Sequence, residues 1–123
     1  MTADDRIRRR STRVLAGLGV ASGAALLTRP QRVVDRVCPE FPASRLWLVR
    51  VLGARLVLQH GAVLARPDRR LVDAGSAIDL LHAATMLPLL GSHRYRRAAL
   101  ISGSLAATYA ALGAVAAPRS DRR

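Results

Sequence analysis

Lysine and asparagine are absent from this 123-residue sequence, cysteine occurs once, and Phe, Trp and Tyr together make up 3% of it. Each shortage removes a class of function. A lone Cys38 forms no intrachain disulfide, and with three scattered His it builds no Cys-rich zinc site. It reads as a passive loop residue. The basic segments have almost no aromatic rings to stack on nucleic-acid bases. No Gly-rich loop has phosphate-cradling spacing, and no Ser, His and Asp fall in a recognisable catalytic motif. With Lys missing, all 20 positive residues are Arg, set against 8 acidic ones for a net charge of +12. Absent Lys and Asn beside abundant Ala is the bias of a GC-rich coding sequence, so the choice of Arg over Lys carries little functional weight.

What is present is a set of long apolar stretches with Arg at their ends. A basic tail, residues 1–13, carries Arg6, Arg8, Arg9, Arg10 and Arg13. The first stretch, 14–28, has no charge and holds Gly19 and Gly23, a GxxxG spacing that lets helix backbones approach closely. It is short for a bilayer core that takes about 20 residues to cross. A cleaved signal segment is the other reading of residues 1–28, since a basic start and a short apolar run fit one. No small-x-small cleavage site precedes Thr28-Arg29, which favours the span. The Pro-rich segment 29–45 is a loop, in which Gln31 to Cys38 can form one or two interfacial turns with Val33, Val34 and Val37 towards lipid.

Three more apolar helices follow, at 46–65, 71–90 and 98–117, joined by the basic turns 66–70 and 91–97. Helix 98–117 has no charged residue, and a helix apolar all round in so small a chain has no soluble core able to surround it. At 1.5 Å per residue it spans about 30 Å, the thickness of a bilayer core. Residues 118–123 form a polar C-terminal tail. The expected fold is therefore all-α, an antiparallel four-helix transmembrane bundle. Arg residues outside the helices divide 11 to 7 in favour of the side carrying both termini and the 66–70 turn. The positive-inside rule then places both termini in the cytoplasm, in a multi-pass protein of the cell membrane.

Helices 46–65 and 71–90 carry charge near their middles, at Arg55 and Asp79. A charge at that depth costs about 2.5–3.5 kcal/mol on the insertion scale, so the two helices are expected to insert as one hairpin. With the turn centred on Asp68, Arg55 lies opposite Leu81, between Asp79 and His82. Arg55 and Gln59 share a face of their helix, as Gly75, Asp79, His82 and Met86 do of theirs. The expected site is a buried cluster of Arg55, Gln59, Asp79 and His82, serving either as a polar lock on hairpin register or as a ligand or proton site. Arg50 points elsewhere and snorkels. Asp73 suits the start of its helix beside Arg69 and Arg70. His60 and His82 are offset by about 9 Å along the axis, which excludes a bis-histidine haem. No cofactor and no metal are expected.

The stretch Val51-Leu-Gly-Ala-Arg55-Leu-Val-Leu-Gln59, the segment Val72-Asp-Ala-Gly-Ser-Ala-Ile-Asp79-Leu-Leu-His82-Ala-Ala-Thr-Met86 and the Arg96-Arg97-Ala-Ala-Leu helix start resemble uncharacterised small actinobacterial four-helix membrane proteins, and more distantly the DoxX-like families. The resemblance covers residues 46–115 through short, degenerate motifs. It implies four membrane helices and carries over no activity.

Three functions are then expected in descending order. The first is a non-catalytic accessory or assembly protein of the membrane. The second is a pocket for a small lipid-soluble molecule or a proton, in a transporter or membrane redox subunit. The third is a soluble basic nucleic-acid binder. Placement of the Arg at helix ends favours a bilayer with anionic headgroups as partner over nucleic acid. A membrane-protein partner or homo-oligomer fits the same surface.

Overall fold

The computed structural model describes residues 2–117, and the expected tail 118–123 lies outside them. Among the described residues there are helices and no strand: α1 (Ala3–Thr28), α2 (Pro30–Val37), α3 (Leu46–Ala65), α4 (Arg69–Met86) and α5 (Arg96–Ala116). Four segments are long and apolar enough to cross a membrane: Ala3–Thr28, Ala43–Ala65, Arg69–Gly91 and Arg96–Ala116.

α1 begins at Ala3, so residues 3–13, read from sequence as a tail, are its first turns. The cause is local. The Thr2 hydroxyl accepts from the Asp5 amide while the Asp5 carboxylate accepts from the Thr2 amide at 3.1 Å. This reciprocal cap satisfies two free donors, and Asp4 and Asp5 complement the helix dipole. Neither Gly nor Pro interrupts the chain before Gly17. The added turns are tied down at the far end of α5, where Arg8 donates to the Val115 carbonyl at 2.8 Å and Thr12 to that of Ala116 at 3.0 Å.

α2 starts on Pro30, whose missing N–H costs nothing at a first helical position. Its apolar face turns into the protein rather than towards lipid, with Val34 buried and Val33 and Val37 half-buried. Cys38, just past its end, caps it and is also buried. The neighbouring Phe41 packs edge-on against Tyr95 at 5.7 Å, joining this connection to the α4–α5 turn. α4 is capped by Asp68, which accepts from the Arg70 amide. It gives way after Met86 to a 3-10 turn, Leu87–Gly91, because Pro88 lacks the N–H that an α-helix needs.

The closest helix pairs are α1 with α3 and α4 with α5. Gly23 and Gly53 meet backbone to backbone: a Cβ added to either would stand 2.7 Å from the other's carbonyl oxygen. Gly19 lies against the His60 ring. α4 and α5 are linked by Ser76 donating to the Ala110 carbonyl and by Gly103 against Met86. α3 and α4, joined by a short turn, share two polar contacts, Arg55 with Asp79 and Gln59 with Gly75, and Val63 and Val72 belong to one buried apolar cluster. In each pair, residue numbers rise along one helix as they fall along the other.

The interior is small and polar, and the outside is large and apolar. Buried positions include Ala16, Gly19, Gly23, Gly53, Val63, Val72, Ala99, Ala106 and Ala110, together with Thr12, His60 and Asp79. Among the described residues no large side chain is fully buried, whereas Leu58 is 75% exposed, Val115 73% and Leu81 66%. A water-soluble domain hides its Leu, Ile and Phe and leaves its acids outside. Here many Leu lie outside, and one acid, Asp79, is buried.

Candidate functional site

The site is built from the polar side chains that the helices turn inward. Asp79, at 3% exposure, stands on the face of α4 directed at α3, where Arg55 Nη1 lies 3.5 Å from its Oδ1. One turn along α3, Gln59 Nε2 donates to the Gly75 carbonyl at 3.2 Å. A Cβ at Gly75 would crowd that nitrogen at the same distance, so the glycine makes room for the amide. Three of the four residues read from sequence thus meet. The fourth does not. His82 Nε2 lies 2.6 Å from Ser102 Oγ on α5. Positions three apart on an α-helix differ by about 60° around its axis, enough for Asp79 to face one neighbour and His82 the other.

Arg50 is exposed, and Arg69 lies 3.5 Å from Asp73, one turn further along α4. Both stand away from the site.

His60 takes the inner position that the sequence reading gave to His82. It is 7% exposed, lies against Gly19, and tilts against Tyr109 with ring centroids 5.1 Å apart. The sequence reading weighed His60 only as a haem ligand. The signal that finds it is the GxxxG of α1, because a bulky ring needs a glycine opposite; which helix stood opposite was not readable. Thr12, Ser76 and Tyr109 were missed for the same reason.

These groups surround a cavity of about 40 Å³ lined by Thr12, Gln59, His60, Ser76, Asp79 and Tyr109 with small and apolar neighbours. Three buried polar atoms have no hydrogen-bond partner among the described residues: Arg55 Nε, Gln59 Oε1 and His60 Nε2.

The chemistry open to this arrangement is narrow. Pockets for organic ligands typically run to about 300–1,000 Å³, well above this volume. No group of three metal-ligating side chains occurs among the described residues. The His82–Ser102 contact has the spacing of a nucleophile and its base. Catalysis would also need a group orienting the imidazole and room beside the hydroxyl. Asp79 is directed at Arg55 and Ser102 does not line the cavity. The pair reads as an interhelical tie, a contact worth about 0.6 kcal/mol on average in membranes.

No known protein family, no curated protein and no solved structure matches this chain.

Proposed function

We propose that the chain is a multi-pass protein of the cell membrane, folded as an antiparallel four-helix transmembrane bundle and acting as a non-catalytic accessory or assembly subunit. The inverted distribution of side chains carries this reading. Leu58, Leu81 and Val115 on the outside lose nothing in hydrocarbon, whereas Asp79 and His60 inside are shielded from it. Small residues between α1 and α3 suit a solvent in which packing, not water exclusion, holds helices together.

The same reading covers orientation and partners. α1 is 26 residues long, about 39 Å at the standard rise, so its first turns reach past the hydrocarbon. There Arg6, Arg9, Arg10 and Arg13 share one exposed face at the spacing of successive helical turns. With both termini cytoplasmic, that face meets anionic headgroups. Kinship with the DoxX-like group belongs to the proposal as well. The Leu52-Gly53-Ala54-Arg55 and Asp79…His82 motifs support it through the small actinobacterial four-helix membrane proteins, to which the DoxX-like families are the more distant likeness, and lend no activity.

Cys38 is a poor reporter of orientation. Burial pushes its thiol above the usual range, the Glu40 charge adds to this, and Arg97 opposes it. Its thiolate fraction at neutral pH is therefore below that of a free cysteine, and maleimide labelling of the native protein is expected to be slow from either side. Exposed Ser44 lies in the same connection. In Cys38→Ser with Ser44→Cys, an impermeant maleimide is expected to label intact cells; labelling only after lysis reverses the orientation.

The accessory role is tested by affinity purification in mild detergent. The expected result is one stoichiometric membrane-protein partner, or a second copy, whose abundance falls when this chain is deleted. A monomer whose loss leaves every membrane complex unchanged contradicts it.

A second reading, a proton-handling subunit of a transporter or redox assembly, is favoured by the unpartnered His60 Nε2 and Gln59 Oε1 beside the central cavity. The cavity volume weighs against its other form, a pocket for a lipid-soluble molecule.

A further inference from the structure

We propose that the first turns of α1 form a preformed site for an anionic phospholipid whose headgroup carries two phosphates on one short bridge. The inference rests on the membrane reading and deepens it, from a face that meets headgroups in general to one that selects among them.

Four exposed guanidinium groups define the site. Arg6, Arg9, Arg10 and Arg13 line one open recess together with Val14. At the turn of an α-helix they fall within about 100° of arc, in two adjacent columns. Arg6 and Arg10 make one column, Arg9 and Arg13 the other. The members of each column stand one turn apart, about 5–6 Å between Cβ atoms, close enough to share one phosphate. Arginine binds phosphate through parallel N–H donors, which suits it to this contact. Two columns match two phosphates, and a headgroup with one phosphate leaves half of the site unfilled.

The face is in place before any lipid arrives. The Thr2–Asp5 cap starts the helix, and Arg8 and Thr12 tie another of its faces to the Val115 and Ala116 carbonyls. A disordered basic tail pays for its ordering when it binds, whereas this surface is already helical.

Depth selects the class of headgroup. Between Arg13 and Arg29 lie 15 uncharged residues. They make about 22 Å of helix against a hydrocarbon core of about 30 Å. The shortfall sets Arg13, and Arg10 nearly one turn before it, at the hydrocarbon boundary, where thinning and snorkelling bring guanidinium and headgroup together. Phosphates carried directly on a glycerol bridge lie at that boundary. Phosphates on a sugar ring project beyond it into water. Past Val14 the face continues without charge through Gly17, where an added Cβ meets nothing within 4 Å, to exposed Ala21 and Ala24. This low surface leaves room for acyl chains beside the headgroup.

Native mass spectrometry of the full chain, released from detergent micelles, tests the site. The micelles carry either diphosphatidylglycerol or twice the molar amount of single-phosphate phosphatidylglycerol, so that lipid charge is matched. The wild-type chain is expected to retain the two-phosphate lipid with about thirtyfold preference, the effect of two further Arg at an anionic surface. Arg9→Gln with Arg13→Gln removes one column and is expected to abolish the preference. Arg29→Gln with Arg32→Gln removes the same charge from exposed positions at α2 and is expected to keep it. Equal retention of both lipids by the wild-type chain overturns the proposal. So does equal loss from the two double variants, which reduces the site to net charge. Displacement of the lipid by inorganic diphosphate at matched charge also overturns it, because the site then serves a free phosphate. A chain that inserts into bilayers without selectivity overturns the site alone, whereas one that does not insert overturns the membrane reading and the site with it.

Discussion

Asp79→Ala is expected to destabilise the protein by about 3–5 kcal/mol, the usual effect of removing one partner from a buried ion pair. The reasoning starts from Arg55. Its guanidinium faces Asp79 across the α3–α4 contact, its Nε has no partner among the described residues, and Asp79 is almost wholly buried. Removing the carboxylate leaves a positive charge near the middle of an apolar helix, and the helix must shift or insert poorly to hydrate it. The loss should appear as a fall in membrane-inserted protein and a lower unfolding temperature in detergent. Two compensating variants separate register from function. Arg55→Met with Asp79→Leu removes both charges, and apolar replacement of buried pairs is often neutral or stabilising. Arg55→Asp with Asp79→Arg restores the pair reversed. If the pair is a lock on register, both doubles recover much of the protein that Asp79→Ala loses. Wild-type stability in Asp79→Ala would remove the pair from any account of this fold.

Gly23→Leu is the second large effect. Any Cβ at Gly23 meets the Gly53 carbonyl oxygen at 2.7 Å, and also Leu56 and Val57 at 2.9 Å. A flexible side chain can give way, but a backbone oxygen moves only with its helix. α1 and α3 must separate, which undoes the backbone contact between Gly23 and Gly53. Overpacking usually costs about 1–3 kcal/mol, and this case belongs at or above the top of that range because the obstacle is main chain. Gly61→Ala is the control. Nothing lies within 4 Å of a Cβ there, and the substitution exchanges a poor helix former for a good one. It is expected to be neutral or slightly stabilising. Thermal unfolding of the three proteins in one detergent checks the order. Equal effects from Gly23→Leu and Gly61→Ala would mean that α1 and α3 do not pack through this glycine contact.

How much of this was legible in the sequence differs from element to element. The largely apolar run from Leu46, broken by Arg50, Arg55, Gln59 and His60, sets α3, whose observed range, Leu46–Ala65, coincides with the one read from hydropathy. The tight turn around Asp68 fixes the register that brings Arg55 near Asp79, because a short connection leaves few ways to fold back. The start of α1 was carried by Thr2 and Asp5, a capping signal that a reading led by hydropathy passed over in favour of the charge of Arg6 to Arg13. The pairing of α1 with α3 was not legible. GxxxG marks a face that packs closely but not the surface it packs on, and the matching Gly53 lies outside the small-xxx-small pair of its own helix, Gly61 and Ala65. The exchange of His60 for His82 follows from that gap. Which histidine faces inward depends on the neighbours around each helix, and neighbours not joined by a short turn leave little trace in a single sequence.

Membrane integration is the claim on which the rest depends, and alkaline carbonate extraction of membranes from cells expressing the full chain tests it most directly. Carbonate strips proteins held by charge, which a chain of net charge +12 invites, and leaves those whose helices cross the bilayer. The account predicts that the protein stays in the pellet after carbonate and enters solution only with detergent. Release into the carbonate supernatant as a folded, detergent-free species would contradict it. The exposed Leu58, Leu81 and Val115 would then need a different cover, and the burial of Asp79 a different explanation.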